Sequence, residues 1–446
     1  MAKFALNIKL GASDSGAVIN LADYQVVADL KLLDSGSRDE VKLNKLFMGM
    51  KRLKLEPNEL AMDMLIIACS MYGADTRIDR LKTADDSWTR QIDLFIPVSD
   101  VVKWEEQIPL LKKIFGFLTG DIWNITFRTR TGMSGIAPKT KLKKFGMPYQ
   151  TDTVCLFSGG MDSFIGAINL LSKGLQPLFL GHAKSSDVSP NQKFCEDALK
   201  AAFPTAVFNR LYAFVRIPKK DLFGQEEKTE RGRSFLFLTL GSICASALNP
   251  GSPSKLIIPE NGLISLNLPL TPMRTGSHST RTTHPHYLEM MQSLLDNLRL
   301  GVQLKNPYQF KTKGEMLREC ADSALVEKTS TMSCSHPSGR FQSLGNGHCG
   351  TCVPCIIRLA SFKAAGKTEV KNYRTDIFDR AQLDTPTKKD NIVAFKYMIE
   401  KSNQNPEYIK GLIRTTGPLG KNVDDYVAIY KRGLAEVENL LNSIVL

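Results

Sequence analysis

Two groups of residues in this chain have the types and spacing that chemistry needs. The first is Val154-Cys155-Leu156-Phe157-Ser158-Gly159-Gly160-Met161-Asp162-Ser163, where two glycines fall between an apolar run and a helical one. Glycine lets the backbone turn sharply and approach a ligand, and the start of the next helix offers free amides and a positive dipole end to an anion. Ser158, Gly159, Gly160, Met161 and Ser163 therefore read as a phosphate cradle, with the serine hydroxyls as added donors. Asp162 repels phosphate unless it caps the helix, holds a bridging magnesium ion or bonds within the loop. This turn contains neither Gly-Lys-Ser/Thr nor Gly-x-Gly-x-x-Gly, which excludes a kinase or GTPase P-loop and a dinucleotide fingerprint here.

The second group is Cys334, Cys349, Cys352 and Cys355, four of the nine cysteines in one short stretch. Four closely spaced thiolates suit a closed tetrahedral zinc site, structural because no position is left for water. An iron–sulfur cluster also uses Cys-x-x-Cys-x-x-Cys and is the competing reading. His336 and His348 read as neighbours rather than ligands, and the scattered Cys69, Cys155, Cys195, Cys244 and Cys320 as structural thiols.

The elements that must position these groups read as follows. Apolar strands at 153–157, 176–180, 207–217 and 256–258 alternate with helical stretches, which implies an α/β, doubly wound parallel sheet covered on both faces. Ligands are expected beyond the C-terminal ends of such strands. Gly181 and His182 end the second strand, where an adenosine would lie, although a solvent-facing His182 fits equally well. Glu260 and Asn261 follow the fourth strand and are expected to face a ligand. Residues 1–130 read as an α+β accessory or partner-binding domain with strands at 4–10, 91–98 and 122–129 and helices at 58–72 and 101–118. Residues 131–150 read as a basic linker, 151–375 as the catalytic domain with a zinc knuckle at 334–355, and 376–446 as a helical segment. Val423, Tyr426, Tyr430, Leu434, Val437 and Leu441 recur at helical spacing and predict an amphipathic final helix.

Composition narrows the class further. With 446 residues, 43% hydrophobic and 23% charged, the chain is neither a disulfide-stapled miniprotein nor a disordered or fibrous one. The apolar run 64–71 is far short of the ~20 residues a membrane span needs, and no signal-peptide core opens the chain, so a cytoplasmic protein with no membrane association is expected. Fifty-eight Lys and Arg against 45 Asp and Glu give +13, which suits an anionic partner. The excess is spread along the chain. Only Arg128, Arg130, Lys139, Lys141, Lys143 and Lys144 form a basic stretch, read as a solvated linker, so nucleic acid is not the favoured partner.

Loop and knuckle together, in this order, resemble the 7-cyano-7-deazaguanine synthases, the QueC family of N-type ATP pyrophosphatases. The resemblance covers roughly residues 151–370. Thr331-Met332-Ser333-Cys334 is similar to the approach to the family's first metal ligand, Arg358 and Phe362 follow the last cysteine, and Gly232-Arg233-Ser234 stands where the family has Gly-Arg-Asn. The resemblance implies the adenine nucleotide alpha hydrolase-like PP-loop fold, ATP and Mg2+ at the loop, and structural Zn2+. It also implies adenylation of a 7-deazaguanine carboxylate followed by capture with an amine. Arg233 would then pair with the α-phosphate or the substrate carboxylate. Pro259-Glu260-Asn261-Gly262 and Ser279-Thr280-Arg281-Thr282-Thr283-His284-Pro285 depart from the ordinary enzyme, which is only about half as long. They resemble the longer QueC-like proteins of bacterial defence operons, the QatC group of the Qat anti-phage systems. That likeness implies substrate contacts at Glu260, Asn261, Arg281, Thr282 and Thr283, and a proton relay at His284. It also implies a QatB-like protein partner whose amino terminus is the acceptor. Two competing readings are a nucleic-acid base-modification or thiolation enzyme, for which Cys155 and Cys195 form no obvious pair, and a non-catalytic nucleotide-binding subunit of a defence complex.

Overall fold

Short apolar strands separated by helices of crossover length pair in parallel, because only a long connection returns the chain to the same end of a sheet. The computed structural model describes residues 3–11, 13–32, 40–41, 43–84, 86, 88–130, 149–183, 188–215, 217, 227, 229–248, 251–272, 281–336, 347–369 and 373–444. Strands β1 (Lys3–Leu10), β2 (Val26–Leu32), β3 (Glu40–Val41), β4 (Gln91–Val98) and β5 (Ile122–Thr129) form a first sheet in the order β3-β2-β1-β4-β5. Every pairing in it is parallel. Helices α1 (Asn44–Arg52), α2 (Glu59–Arg77) and α3 (Arg80–Thr83) connect β3 to β4, and α4 (Val101–Glu105) and α5 (Ile108–Thr119) connect β4 to β5. This corrects the expected α+β domain: residues 3–130 are a parallel α/β layer. The helix expected over 101–118 is two helices, since Pro109 lacks an amide and sits in the first turn of the second.

The second sheet contains β6 (Thr153–Leu156), β7 (Leu178–Ala183), β8 (Asn209–Phe214), β9 (Ser254–Ile257) and β10 (Val302–Lys305), again all parallel, in the order β10-β9-β6-β7-β8. Numbered from its own first strand, each sheet has the order 3-2-1-4-5, although no sequence repeat announces the likeness. The accompanying helices are α6 (Met161–Ser172), α7 (Val188–Ala202), α8 (Arg233–Ser246), α9 (Gly262–Leu266) and α10 (Pro285–Asn297). Beyond β10 the chain is helical: α11 (Lys313–Arg318), α12 (Ser323–Lys328), α13 (Val353–Ala364), α14 (Pro386–Gln404), α15 (Tyr408–Thr416) and α16 (Val423–Leu441).

The two sheets share one apolar core. Nearly all of α2 is buried, because it lies between the first sheet and α8. The core it anchors runs from Leu6 and Leu94 through Phe235 and Leu240 to Val154, Leu180 and Leu211 of the second sheet. A separate core under α6 and α7 covers the other face of that sheet, and a third joins α14, α15 and α16 to α9 and α13. At the seam a charge network is fully buried: Arg90 Nη2 lies 2.9 Å from Asp75 Oδ1 and 2.6 Å from Asp121 Oδ2, and Arg80 Nη1 lies 2.8 Å from Asp121 Oδ1. Asp75 Oδ2 also accepts a 2.7 Å bond from the Gly232 amide at the start of α8.

Two of the cations assigned to a solvated linker are structural instead. Arg128 pairs with Asp14 at 2.6 Å, and Arg130 is buried with its Nε 2.7 Å from Asp63. Lys139, Lys141, Lys143 and Lys144, with most of the 131–150 linker, lie outside the described residues, as do Ser279 and Thr280. Among the described residues, no helix is long and apolar enough to cross a membrane.

Candidate active site

β6 stops at Leu156 and α6 starts at Met161, so the intervening loop sits at the C-terminal edge of the sheet, with β7 on one side and β9 on the other. Gly159 has φ +79°, which disfavours any side chain, and a Cβ there would stand 3.0 Å from the Gln192 amide nitrogen. Gly160 is the N-cap of α6 and no side chain caps that helix, so its first amides face the space above the loop. Ser158 Oγ accepts from the Gly160 amide at 3.2 Å and lies 3.2 Å from Ser163 Oγ, which donates to the Gly160 carbonyl at 2.9 Å. Two hydroxyls and a helix start thus converge at one point. Met161, by contrast, is buried in the core under α6 and contributes only backbone there.

Asp162 is held by three residues. Lys313 Nζ lies 2.7 Å from its Oδ1, Asn261 Nδ2 donates to its Oδ2 at 2.6 Å, and Glu260 is hydrogen-bonded to it. Burial opposes the charge on Asp162, but the ammonium, the amide and the Glu260 hydroxyl outweigh it and hold Asp162 below the usual carboxylate range. Burial and the adjacent Asp162 push Glu260 well above that range, so the two carboxyls titrate as a pair. With Glu260 ionised, the oxygens of the two carboxyls suit magnesium. Asn261 also caps α9, its Oδ1 accepting from the Ile264 amide at 3.0 Å.

The adenosine end of the expected site is built differently. His182 is buried rather than solvent-facing, and neither ring nitrogen has a partner among the described residues. Burial and the Arg233 charge push it down to about 3, so the ring is neutral and offers one donor and one acceptor. Gln192 lies across Gly181 and donates to the His182 carbonyl at 3.2 Å. Arg233 is exposed at the first position of α8.

The 281–284 string is not gathered around Asp162. Arg281 stacks 4.4 Å over the Phe117 ring and donates to the Phe117 carbonyl at 2.9 Å, while Thr282 is exposed. The Thr283 carbonyl accepts from Ser265 Oγ at 2.5 Å. His284 is fully buried as the N-cap of α10: Nδ1 accepts from the His286 amide at 3.3 Å and Nε2 lies 3.0 Å from Thr416 Oγ1. Nδ1 thus caps α10 itself, and Nε2 ties α10 to α15.

The four cysteine sulfurs all lie within 4.8 Å of one another, with Cys334 to Cys352 and Cys349 to Cys355 each at 3.9 Å. A zinc ion at ~2.3 Å from each sulfur needs tetrahedron edges of about 3.8 Å, so the set fits one such ion and leaves no room for a multi-iron cluster. Amides of Cys349 and Cys352 donate to Cys334 and Cys349 at 3.3 Å each. Hydrogen bonds from Cys334, Cys352 and Cys355 push the Cys349 thiol down to a thiolate. Behind the cluster, buried Arg358 donates to Thr331 Oγ1 at 2.7 Å and pairs with Glu369. The segment so fixed reaches the phosphate loop: the Met332 amide donates to the Gly159 carbonyl at 2.8 Å.

Loop, carboxyl pair and four-cysteine cluster thus form one continuous assembly. Half of the chain is similar to 7-cyano-7-deazaguanine synthase. The chain is 25% identical over 235 residues to that enzyme from Picrophilus torridus, an alignment covering 48% of this chain and 89% of the enzyme. No protein-family model matches the chain. The synthase likeness sets a short enzyme beside a much longer chain, so a large share of the present molecule has no counterpart in it.

Sequence reasoning missed Lys313, Gln192 and Met332. Lys313 alone carried a signal. Thr312-Lys313-Gly314-Glu315 is a capping box, with Thr312 Oγ1 accepting from the Glu315 amide at 2.9 Å and Glu315 accepting from the Thr312 amide at 2.8 Å. That pattern puts Lys313 in a first helical turn but does not say what it faces.

Proposed function

We propose that this chain is an ATP-dependent, AMP-forming ligase of the QueC-like type, acting on a 7-deazaguanine carboxylate and passing it to an amine. The observation that carries the reading is Asp162, set beside a serine-lined helix start and held by Lys313, Asn261 and Glu260. An unliganded phosphate loop has no need of a buried carboxyl pair, whereas one that takes a metal–nucleotide does.

In this reading Ser158, Ser163 and the first amides of α6 bind the β- and γ-phosphates, and His182 hydrogen-bonds the adenine edge. Asp162 and Glu260 would hold magnesium, which neutralises charge on the phosphates. Arg233 stands by the α-phosphate. A substrate carboxylate oxygen attacks the α-phosphorus, forming a P–O bond as pyrophosphate leaves. An amine nitrogen then attacks the acyl carbon, forming a C–N bond as the C–O bond to AMP breaks, and the amine proton passes to solvent. A carboxylate is a poor electrophile, and the AMP leaving group makes the second step feasible. The four cysteines would hold zinc, which keeps Thr331–Ser333 against the loop. Arg281, Thr282, Thr283 and His284, beside α5 of the first layer, shape the acceptor side rather than the phosphate side, and His284 acts there by position, not as a proton relay. The acceptor we favour is the amino terminus of a partner protein from a defence operon, which suits the large additional first layer.

Incubation with ATP, magnesium, 7-carboxy-7-deazaguanine and amine acceptors, including the proteins encoded beside this one, tests the proposal. AMP and pyrophosphate release that requires the deazaguanine is expected, with a deazaguanine-sized mass adduct on the acceptor. ADP release, or AMP release indifferent to the deazaguanine, overturns it.

A further inference from the structure

Two of the three residues that grip Asp162 sit at the starts of very short helices: Asn261 caps α9 and Lys313 opens α11. One or two helical turns have little stability of their own, so their positions are set by what they pack against. α9 packs against α16, and α11, which lies mainly on α13, is bonded by polar side chains of α16. Ile429, Arg432, Gly433 and Glu436 follow the i, i+3, i+4, i+7 spacing of one helix face, and each touches one of the two helix starts. On the α9 side, a Cβ on Gly262 would lie 2.6 Å from Ile429 Cγ1, and one on Gly433 would lie 2.9 Å from Leu263 Cδ2. At Gly262 a Cβ would also strike the Gln309 carbonyl oxygen, so that position requires glycine.

On the α11 side the contacts are polar. Glu436 Oε1 accepts from Thr312 Oγ1, and Oε2 accepts from the Gly314 amide at 3.2 Å. These donors flank Lys313 on either side. Arg432 adds a 2.7 Å bond from Nε to Glu315 Oε1 and a 2.8 Å bond to the Phe310 carbonyl. The carboxylate of Glu436 thus sits at the positive end of α11 and fixes the two residues adjacent to the lysine.

We propose that Glu436 is a positioning residue for the phosphate site, acting through Thr312 and Gly314 to keep the Lys313 ammonium on Asp162. The inference rests on the ligase reading above, since it assigns a role at the same site. Glu436 touches no reacting atom; its effect passes through Lys313.

The test uses the full chain carrying Glu436→Ala, Glu436→Gln, Lys313→Met or Glu436→Ala with Lys313→Met. Two readouts are taken, equilibrium binding of magnesium–ATP and the rate of AMP formation, with urea unfolding and zinc content as controls for folding. Glu436→Ala is expected to weaken magnesium–ATP binding and lower kcat by about tenfold each, and Glu436→Gln, which keeps one acceptor oxygen, by no more than about threefold. In the Lys313→Met background Glu436→Ala has no further effect, because a positioning residue acts only through the group it positions. An unchanged Glu436→Ala protein, or an equal loss in both backgrounds, overturns the inference. Wild-type protein that binds ATP but forms no AMP overturns the ligase reading while the binding arm still decides the role of Glu436. Failure of the wild type to bind ATP overturns both.

Discussion

The two sheets of this molecule have the same strand number, the same parallel direction and the same 3-2-1-4-5 order, yet among the described residues only one carries a candidate site. After β6 the chain makes a four-residue glycine turn straight into α6. After β1 it wanders to β2 with a single 3-10 turn, Leu21–Asp23, so no long helix aims its amides at the strand end. The polar groups at the C-terminal edge of the first sheet also consume one another. Asp14 accepts from Arg128 and from the amides of Leu10 and Gly16, while Asp63 accepts from Arg130, Ser99 and the Trp104 indole. Topology supplies a crevice in both places. The loop and helix start after the first strand decide whether the crevice can bind an anion.

Equivalent changes in the two crevices should therefore separate. The largest effect is expected from Asp162→Ala, which should lower AMP formation at least about a thousandfold while leaving the far-ultraviolet circular dichroism unchanged. Asp14→Ala should leave kcat within about twofold and cost only about 1–2 kcal/mol in urea unfolding. A large loss of kcat with Asp14→Ala would break the comparison.

The next effect falls on the seam between the layers. Removing Asp121 takes from Arg80 and Arg90 the closer of the two carboxylates they share, leaving them Asp75 alone, and breaking such a buried pair typically costs about 3–5 kcal/mol. Burial raises Asp121, but the Arg90 and Arg80 charges outweigh it and hold the carboxyl below the usual range. A depressed carboxyl stabilises the fold above its unfolded pKa and loses that contribution as pH falls through its folded value. Wild-type stability should thus drop steeply below about pH 4, and Asp121→Asn should be less stable at neutral pH with a shallower acid limb. An acid limb of unchanged slope in pH-dependent urea titrations would show that the seam charges do not govern it.

The smallest effects sharpen the comparison at one residue. Gly11 and Gly159 follow β1 and β6 closely, with φ +70° and +79°. A Cβ on Gly11 meets nothing within 4 Å, whereas one on Gly159 presses on Gln192. Gly11→Ala should cost about 1 kcal/mol of backbone strain and no activity, while Gly159→Ala should cost the same and lower kcat about tenfold. Equal kinetics for the two variants would mean the glycine turn serves folding alone.

What could be read from the sequence was what is local in it. Ser158 to Ser163 and the four cysteines announce themselves because their ligand groups lie within one turn or one knuckle. Strand existence was visible for β1, β4, β5 and four strands of the second sheet, but alternation of apolar residues does not encode strand direction, so the first layer was misassigned. His182 was ambiguous because burial depends on Phe237 and Arg233, which come from a distant helix. Lys313, Gln192, Met332 and Glu436 were invisible as site residues since each meets its partner across a long stretch of chain. His284 looked reactive as a residue type, and only its partners Thr416 and His286 reveal a cap.

The brace on Lys313 also has a meaning in time. A ribosome adding about 5–20 residues per second makes Asp162 many seconds before Glu436. During that interval the nascent chain has its glycine turn and its carboxylate but not the α16 face that seats α9 and α11. On the ligase reading, a growing polypeptide would be kept from consuming nucleotide until α16 is made.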